Sequence, residues 1–381
     1  MKRNRILCVS FSPLQSDSRV LRQVRVLQEF GDVVTVGYGP PPLPEVEHIE
    51  VPDGAPSLPR SLQGVIQLAL RHYTEASPRT PGADAVVDRI RDSGPYDLIV
   101  ANDARALPLA FSVADSAPVW ADMHEWAPEE NSTNLIWKAL VRPYMDWLCR
   151  HYLPRCVVVT TVSDSISDLY AQTYGVHPTV IRNTGPFRDL RPTATCDDSI
   201  RLVHSGAALK NRNLENLILA VRELDQRFSL DLYLIDTEGN VGKLKRLAGS
   251  DKRVRFHEPV PPGSLPSELN KYDLGVFLLP PRTVNYEYML PNKMFDYVQA
   301  RLGVVFGPAV ETDRIINEFN LGVITSGWGA ADLRKSLEGL TTRQVAEHKL
   351  ASHQAAHALS NEADLEAQRE SLRKILGTKG V

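Results

Sequence analysis

The stretch LPNKMFD, Leu290 to Asp296, combines groups that can bind an anion with one that can accept hydrogens from hydroxyl groups. Pro291 near a helix start leaves the backbone amides of Asn292 and Lys293 free to donate to an anion. Asp296 lies one helical turn on, at a spacing where its carboxylate can accept both hydroxyls of a ribose. The helix dipole also favours an acid in a first turn, so both explanations of Asp296 stay open.

A second candidate for anion binding is SGAALKNRN, Ser205 to Asn213, which follows a short apolar run. Gly206 opens the backbone, and Lys210 and Arg212 precede a helix predicted to begin near Asn213. Such a helix start suits a diphosphate, because the dipole contributes roughly 0.3–1 kcal/mol and a charge-assisted hydrogen bond roughly 1.5–3 kcal/mol. An exposed loop with solvated charges is the competing explanation for this segment alone.

Polar side chains also follow the predicted strands in the first half of the chain. Open α/β sheets bind ligands at the carboxyl ends of their parallel strands. The residues placed there are Ser16, Asp17, Asn102, Asp103, Asp122 and His124. For any one of them, capping of the next helix is at least as good an explanation, but the whole set favours a binding site along one edge of a sheet.

Charge and missing motifs exclude several classes of protein. The chain has neither GxGxxG nor GxxxxGK[ST], so a dinucleotide oxidoreductase or a P-loop enzyme would lack its phosphate-binding loop. A net charge of -3 and a pI near 6.4 argue against general nucleic-acid binding. The four cysteines form no CxxC pair, so we expect reduced thiols, a cytoplasmic protein and no metal site.

Alternating strands and helices are the scaffold that these residues need. Apolar runs such as RILCVSF, YDLIVAND and IRLVHSGA are predicted strands, and amphipathic segments such as DSRVLRQVRVLQEFG are predicted helices. The alternation predicts an α/β fold with two Rossmann-like, doubly wound parallel-sheet domains that face each other across a cleft.

The domain boundaries follow from a break in this alternation. Pro186–Ser199 is polar and without periodicity, which is typical of a linker. We expect an N-terminal domain over 1–188, a C-terminal domain over 199–355, and a C-terminal helix within 356–381 that packs back on the first domain. The proline-rich segment Gly39–Pro59 is predicted to be extended or loop-like.

The segment Asn134–Arg155 mixes tryptophan and tyrosine with lysine and arginine. Its pattern favours an ordinary helix packed on the sheet, bent or divided at Pro143, because aromatic stripes more often mark a core face. A helix lying on a membrane surface is the alternative, and it would place the protein at the inner face of the membrane through a peripheral contact.

Taken together, the chain resembles the retaining glycosyltransferases of the family-four type (glycosyl transferases group 1), which have the GT-B architecture. Four segments carry the resemblance, and a fifth fits more loosely. They are DSRVLRQVRVLQEFG, ADMHEWAPEE, TTVSDSISDLYAQTYGVHPTVIRNTG and NYEYMLPNKMFDYVQARLGVV, with HSGAALKNRNLENLILAVREL as the fifth. Their order along the chain is more specific than any single motif.

The resemblance implies transfer of a sugar from a nucleotide-diphosphate donor to a saccharide, lipid-linked or small-molecule acceptor. It also implies retention of the anomeric configuration, no cofactor and no metal. The first domain would be the acceptor side and the second the donor side. The acceptor-side candidates are Ser16, Asp17, Asn102, Asp103 and Asp122.

By position, the resemblance also assigns roles to single residues. His124 corresponds to the histidine that contacts the donor sugar near its reacting carbon, and Glu287 to an acid that touches the transferred sugar; these two are the catalytic candidates. The donor-binding candidates are Gly206, Lys210, Arg212, Asn292, Lys293 and Asp296. Among the departures from the pattern, Asp296 replaces a glutamate, Ala207 replaces an arginine found in many relatives, and Arg301 lies where relatives tend to have glycine.

Two other functions stay open at this point. The first is a sugar-nucleotide epimerase of the same fold, and the second is a non-catalytic GT-B protein that binds a nucleotide sugar or a partner protein. In each case the expected ligand is a nucleotide sugar, and no nucleic acid is expected.

Overall fold

The apolar runs of the sequence pair into two parallel sheets, one in each of two units of the chain. The structure is a computed structural model that describes residues 3–77 and 80–377. One unit comprises Met1–Arg182 with Asp364–Val381, and the other comprises Asn183–Ala363. The prediction of two doubly wound parallel-sheet domains is confirmed.

The first unit is built on a seven-stranded sheet with the order β3-β2-β1-β4-β5-β6-β7, in which every pairing is parallel. Its strands are β1 (Asn4–Pro13), β2 (Gly31–Tyr38), β3 (Glu47–Val51), β4 (Leu98–Asn102), β5 (Val119–Asp122), β6 (Val158–Thr161) and β7 (Thr179–Val180). The middle strands are buried along nearly their whole length, as expected for strands covered by helices on both faces.

The helices of this unit fill the connections between its strands. They are α1 (Ser18–Gln28), α2 (Leu62–Ala69), α3 (Tyr73–Ala76), α4 (Pro81–Asp84), α5 (Val87–Ser93), α6 (Leu107–Ser112), α7 (Arg142–Tyr152) and α8 (Asp164–Tyr174). A π-helical turn, Trp137–Val141, leads into α7, so the predicted helix over 134–155 is divided next to Pro143.

The second unit repeats this arrangement with a six-stranded parallel sheet of order β10-β9-β8-β11-β12-β13. Its strands are β8 (Ile200–Ala207), β9 (Phe228–Ile235), β10 (Val254–His257), β11 (Leu274–Phe277), β12 (Gly303–Phe306) and β13 (Gly322–Ile324). Its helices are α9 (Glu215–Glu223), α10 (Val241–Ala248), α11 (Leu265–Leu269), α12 (Val284–Glu287), α13 (Asn292–Gln299), α14 (Val310–Phe319), α15 (Ala330–Glu338) and α16 (Thr342–Ala355).

In both sheets the strand order reverses once, between β1 and β4 in the first unit and between β8 and β11 in the second. The first strand of each unit lies beside both the second and the fourth, so the connections on its two sides run in opposite directions. The carboxyl ends of these strands form the crevice in which doubly wound sheets bind ligands. The fold thus defines one candidate position for a ligand in each unit.

The last helix, α17 (Glu362–Leu376), contributes to the first unit although it follows the second along the chain. Leu372 is fully buried and packs in the same core cluster as Ile6 and Val24. Arg369 donates two hydrogen bonds to the carboxylate of Glu29, at 2.8 and 2.9 Å. Among the described helices, none combines the length and the apolar character that crossing a bilayer requires.

The division between the units falls at Arg182, earlier than the predicted boundary at 188, because the linker is bound to the second unit. Arg301 is fully buried after α13 and donates to the carbonyl oxygens of Arg188 and Leu190. The Gln299 side chain accepts the amide hydrogen of Arg188 at 2.9 Å. The polar, aperiodic composition of this segment gave no sign of these contacts.

Two other expectations differ from the structure. Gly39–Pro59 contains β3, an edge strand that pairs with β2, within a segment that we expected to be extended or loop-like. The C-terminal segment predicted as 356–381 divides at Asp364 instead, because the chain before that residue clusters with the second unit. In both places the structure depends on contacts with residues that are distant in the sequence, and the local composition does not reveal these contacts.

We expect Arg301→Ala to release the linker from the second unit. The substitution leaves several buried carbonyl oxygens without their donor, at a cost of about 1–3 kcal/mol for each group left unsatisfied. Trypsin should then cleave after Arg188 and Arg191 faster than in the wild type, as followed by mass spectrometry. Arg282→Ala, which removes an exposed arginine of the same unit, is the matched control and should leave the cleavage rate unchanged.

Candidate functional site

Asp122 is the centre of a buried polar network at the carboxyl end of β5. Arg19 donates to both carboxylate oxygens, from Nε at 2.8 Å and from a terminal guanidinium nitrogen at 2.6 Å. The Thr160 hydroxyl donates at 2.6 Å, and the Gln23 amide at 3.2 Å. Burial alone would raise the pKa of Asp122, but the Arg19 charge and His124 outweigh it and hold the pKa far below its usual value. Asp122 is therefore a fixed anion.

His124 follows β5 and is oriented by the same network. Its Nε2 atom lies 3.1 Å from Asn102 Oδ1 and 3.3 Å from Asp122 Oδ2, and its Nδ1 atom lies 3.5 Å from Asp103 Oδ2. Its backbone amide donates to Asp103 Oδ1 at 3.0 Å. Burial lowers the pKa of His124, but Asp103 and Asp122 raise it by more, so the ring stays cationic to a higher pH than an ordinary histidine.

The end of β4 holds this arrangement in place. The Asn102 amide donates to Gln23 Oε1 at 3.0 Å and to the Val9 carbonyl at 3.3 Å. Asp103 has φ +66, a left-handed conformation that is uncommon outside glycine, and its amide donates to the Asp122 carbonyl at 2.9 Å. This backbone hydrogen bond joins the ends of β4 and β5, and it helps to fix the position of His124, which follows β5.

The acceptor-side candidates fall into two groups. Asn102 and Asp122 are each 2% exposed, and both lie beside Nε2 of His124, so the contacts seen for them are with the protein, and their contact with an acceptor stays a prediction. Asp17 caps α1, accepting from the Val20 amide at 3.1 Å, which is the capping explanation left open above. Ser16 is exposed and donates to the Pro13 carbonyl, and Asp103 is partly exposed beside His124.

Glu125 is a further acid in this region that was not among the predicted catalytic, donor-binding or acceptor-side residues. Burial, with help from the charges of Asp103 and Glu130, raises the pKa of its carboxyl to about 8. Glu130 itself is paired with Arg105 at 2.6 Å. Glu125 therefore carries a proton at neutral pH.

The candidate residues of the second unit meet at the carboxyl end of β8. Gly206 has φ +140, and a Cβ atom added there would lie 2.6 Å from Lys293 Nζ. Only glycine leaves room for the lysine to cross this strand end. The ammonium lies 5.5 Å from the centre of the Phe277 ring, and Phe277 is stacked on the buried His204. Two residues predicted from separate segments, Gly206 and Lys293, are thus in contact.

Arg212 and Asp296 belong to the same group of charges. The Arg212 guanidinium lies 5.9 Å from the centre of the Tyr286 ring. Burial and the charge of Arg212 lower the pKa of Lys293 to about 8, and Asp296 offsets only part of this. Burial raises the pKa of Asp296 to about 6 in spite of Lys293. The two basic side chains and the acid therefore lie close together, and each of the three residues is half-buried.

These three side chains have no hydrogen-bonding or ion-pair partner among residues 3–77 and 80–377. Half-buried charges of this kind cost free energy unless they are compensated. Positive charge predominates, since Arg212 and Lys293 outnumber Asp296. The arrangement is suited to an anionic ligand that also carries hydroxyl groups.

The other donor-side candidates lie around this group. α13 begins at Asn292 directly after Pro291, as predicted, so its first amides have no carbonyl partner within the helix. Glu287 is half-buried at the end of α12. Lys210 is exposed, and its backbone amide donates to Glu238 at 3.0 Å, so Arg212 is the better placed of the two basic residues. α9 begins at Glu215, later than predicted.

Several residues of the two sites were missed in the sequence. Arg19 and Gln23 lie one turn apart on α1 and hold Asp122. The signal available in the sequence was that these two polar residues share a helix face that is otherwise apolar. His204 and Phe277 lie in apolar strands beneath Lys293, where nothing distinguished them from ordinary core residues. In the described part of the chain, no group of three or more His, Cys, Asp or Glu is placed to hold a metal ion.

Comparison with known proteins indicates which class of protein has this geometry. Residues 18–184 match the model of Glycosyltransferase Family 4. Sucrose-phosphate synthase from Thermosynechococcus elongatus superposes with a TM-score of 0.73 at 12% identity, covering 99% of this chain and 100% of that one. HepE of Anabaena in complex with UDP and glucose superposes with a TM-score of 0.69 at 14% identity, covering 98% and 100%.

A third similar structure is that of a trehalose-6-phosphate protein from E. coli bound with UDP-2-fluoro glucose. It has a TM-score of 0.65 at 10% identity and covers 99% of both chains. A search of curated protein sequences gives no match. Two Rossmann-like units of this order define the GT-B fold. Residues 18–184, most of the first unit, match Glycosyltransferase Family 4, and the chain as a whole has the GT-B fold, so the predicted resemblance is confirmed.

We expect Arg19→Met to destabilise the first unit by about 3–5 kcal/mol, because it leaves the Asp122 carboxylate buried without its main partner. Since the pKa of Asp122 is depressed, its contribution to stability is full above about pH 4 and is lost as the pH falls. The loss on acidification should be smaller in the variant, because without Arg19 the pKa of Asp122 is no longer held so far below its unfolded value. Urea unfolding at several pH values measures both effects.

The matched control is Arg3→Met, which breaks an exposed pair with Asp32 that should contribute less than about 1 kcal/mol. A variant Arg19→Met as stable as Arg3→Met would show that Asp122 is not held in the way described.

Proposed function

We propose that the protein transfers a sugar from a nucleoside-diphosphate sugar to a saccharide, lipid-linked or small-molecule acceptor, with retention of the anomeric configuration. The observation that carries the proposal is the unpaired group of Arg212, Lys293 and Asp296 beside Gly206. A diphosphate would compensate the two cations, and a ribose would supply hydroxyl groups to the acid. Uridine is the first candidate base, because the HepE structure and the E. coli structure contain uridine nucleotides.

The spacing along α13 supports this assignment. The amides at Asn292 and Lys293 open the helix, and Asp296 follows about one turn later. One turn of α-helix rises about 5.4 Å, which is of the order of the separation between a pyrophosphate and the hydroxyls of its ribose. Aspartate in place of the glutamate of related sequences shortens the side chain by one methylene, and its position in the first turns of the helix keeps it close to Lys293.

The reaction would depend on positioning and charge rather than on a covalent intermediate. As the bond between the sugar and the diphosphate breaks, negative charge grows on the leaving group. Arg212, Lys293 and the first amides of α13 would stabilise that charge. The leaving diphosphate would take the proton of the attacking hydroxyl on the same face of the sugar, which retains the configuration. In this proposal Glu287 contacts the transferred sugar.

Nucleotide binding tests the central step. We expect isothermal titration to detect uridine diphosphate binding, and Arg212→Ala to weaken it about ten- to a hundredfold, since it removes a charge-assisted contact of roughly 1.5–3 kcal/mol. Arg343→Ala, which removes an arginine that is 86% exposed in the same unit, should bind like the wild type. Failure to bind uridine, guanosine or adenosine diphosphate would contradict the proposal.

The pH dependence of donor binding gives a separate prediction. A diphosphate favours the charged form of Lys293, whose pKa is lowered to about 8. The affinity for uridine diphosphate glucose should therefore fall above about pH 8, approaching tenfold for each pH unit. It should also fall below about pH 6, where Asp296 gains a proton and can no longer accept both ribose hydroxyls.

Lys293→Arg is the control for the fall in affinity above about pH 8, because arginine keeps its charge throughout this pH range. The variant should bind with little change in affinity between about pH 7 and about pH 9. An identical fall in the wild type and in Lys293→Arg would exclude Lys293 as the titrating group.

Turnover separates the proposed function from its two alternatives. A glycosyltransferase should release free nucleoside diphosphate, slowly with water and faster with a suitable acceptor. An epimerase would exchange protons on the sugar ring of the donor without releasing the nucleotide. A protein that only binds would do neither, and it would respond to Asp296→Glu with tighter binding but no turnover.

A further inference from the structure

The first unit carries a group of large apolar side chains exposed to solvent. The apolar patch consists of Leu62, Val65, Ile66 and Leu70 in and after α2, together with Leu135 and Ile136. Leu62 and Leu135 are 81% and 80% exposed. The other large apolar side chains that are exposed in the described residues, such as Val157, Ile235 and Leu350, come singly along the chain. Single residues need no explanation, whereas a contiguous patch indicates a binding surface.

The orientation of α2 explains why these side chains face outwards. Leu68 and Gly64 are its buried residues, and a Cβ atom added at Gly64 would lie 2.8 Å from Cβ of Pro59. This close packing fixes which face of the helix is covered. Leu62, Ile66 and Leu70 are spaced four residues apart on another face, and α2 contains no charged residue. The helix thus presents to water the apolar face that an ordinary surface helix would bury.

Leu135 and Ile136 extend the same surface. The Asn134 side chain accepts the amide hydrogens of Ile136 and Trp137, at 2.9 and 3.1 Å, and so begins a helical turn that leaves both apolar residues outside. The π-helical turn that follows packs against α2, which places the two parts of the patch side by side. By contrast, Trp137 and Tyr144 are buried, so the aromatic residues of 134–155 serve mainly as core.

Basic side chains surround the patch. Arg60 and Arg71 flank α2 at its two ends, and Lys138 follows Ile136; all three are exposed. Within the described ranges, none of them is paired with an acid. Glu75 on α3 is the carboxylate nearest to α2 along the chain. The surface therefore combines apolar side chains at its centre with unpaired positive charge at its edge.

We propose that the apolar patch docks the first unit on an anionic lipid bilayer. The apolar side chains would enter the boundary between headgroups and acyl chains, and Arg60, Arg71 and Lys138 would lie among the negatively charged headgroups. This combination is what binds amphipathic elements to membrane surfaces. The positive rim favours a lipid surface over a second copy of the same patch, since two copies would bring like charges together. The docking does not depend on the donor site.

Flotation with lipid vesicles tests the proposal on the full-length protein. We expect binding to vesicles of about three parts phosphatidylcholine to one part phosphatidylglycerol, weaker binding to phosphatidylcholine alone, and a loss of the difference in high salt. Leu62→Glu, Ile66→Glu and Leu135→Glu should each reduce partitioning about tenfold or more. Leu350→Glu, at a residue that is 50% exposed in the second unit, is the matched control and should float like the wild type.

Thermal unfolding and uridine diphosphate binding, measured on the same variants, distinguish lost docking from lost folding. Two results would overturn the proposal. One is that the wild type does not float with either vesicle, and the other is that the patch variants float as well as Leu350→Glu. Sedimentation without lipid identifies the competing occupant: a wild-type dimer that Ile66→Glu converts to a monomer would assign the patch to a second copy of the chain.

Discussion

A charge that is removed from water must be compensated, and the two units meet this constraint in different ways. In the first unit Asp122 is compensated within the protein, by Arg19, Thr160 and Gln23. In the second unit Arg212, Lys293 and Asp296 are brought together without hydrogen-bonding partners in the described residues. The first arrangement is complete as it stands. The second is left without such compensation, which the binding of a charged substrate, as proposed above, would supply.

This contrast assigns different physical roles to the two strand-end regions. The first is a rigid support that fixes the charge and orientation of His124, through Asn102 and through the strained backbone of Asp103. In the second region the charges of Lys293 and Asp296 change with pH and with a bound ligand, because their pKa values lie close to neutrality. Ligand charge and solution pH therefore act on the second region far more than on the first.

Both regions arise from the same feature of the fold, the single reversal of strand order in a parallel sheet. The reversal leaves a crevice at the carboxyl ends of the central strands, and the loops there are free to carry polar residues. The strands themselves must stay apolar because helices cover both of their faces. The polar side chains available for binding and catalysis are therefore confined to the segments beyond the strand ends.

That confinement explains how much could be predicted from the sequence. The alternation of apolar runs was enough for the two sheets, and two predicted residues, Gly206 at the end of β8 and Lys293 at the start of α13, proved to be in contact. The short edge strand β3 was not recognised, because its pairing with β2 makes it a strand and proline-rich surroundings conceal it. Arg301 was noted only as a departure from a family pattern, while its function is to bind backbone carbonyls far away in the sequence.

The buried partners of the candidate residues were beyond sequence reasoning for a similar reason. Arg19 was seen as one basic residue of an amphipathic helix, and its partner Asp122 lies in a distant strand. The burial of Asn102 and Asp122 could not be foreseen, because polarity alone does not reveal it. Side chains that touch a ligand and side chains that orient them are of the same types, and only packing distinguishes the two.

The position of α17 has a consequence for how the polypeptide acquires its structure during synthesis. The first unit needs Leu372 in its core, whereas the second unit is formed by one continuous stretch of chain. The ribosome releases both partners of every contact in the second unit before α17 emerges. The half that is translated first is therefore the half that is finished last, and until then its core lacks one of its packing partners.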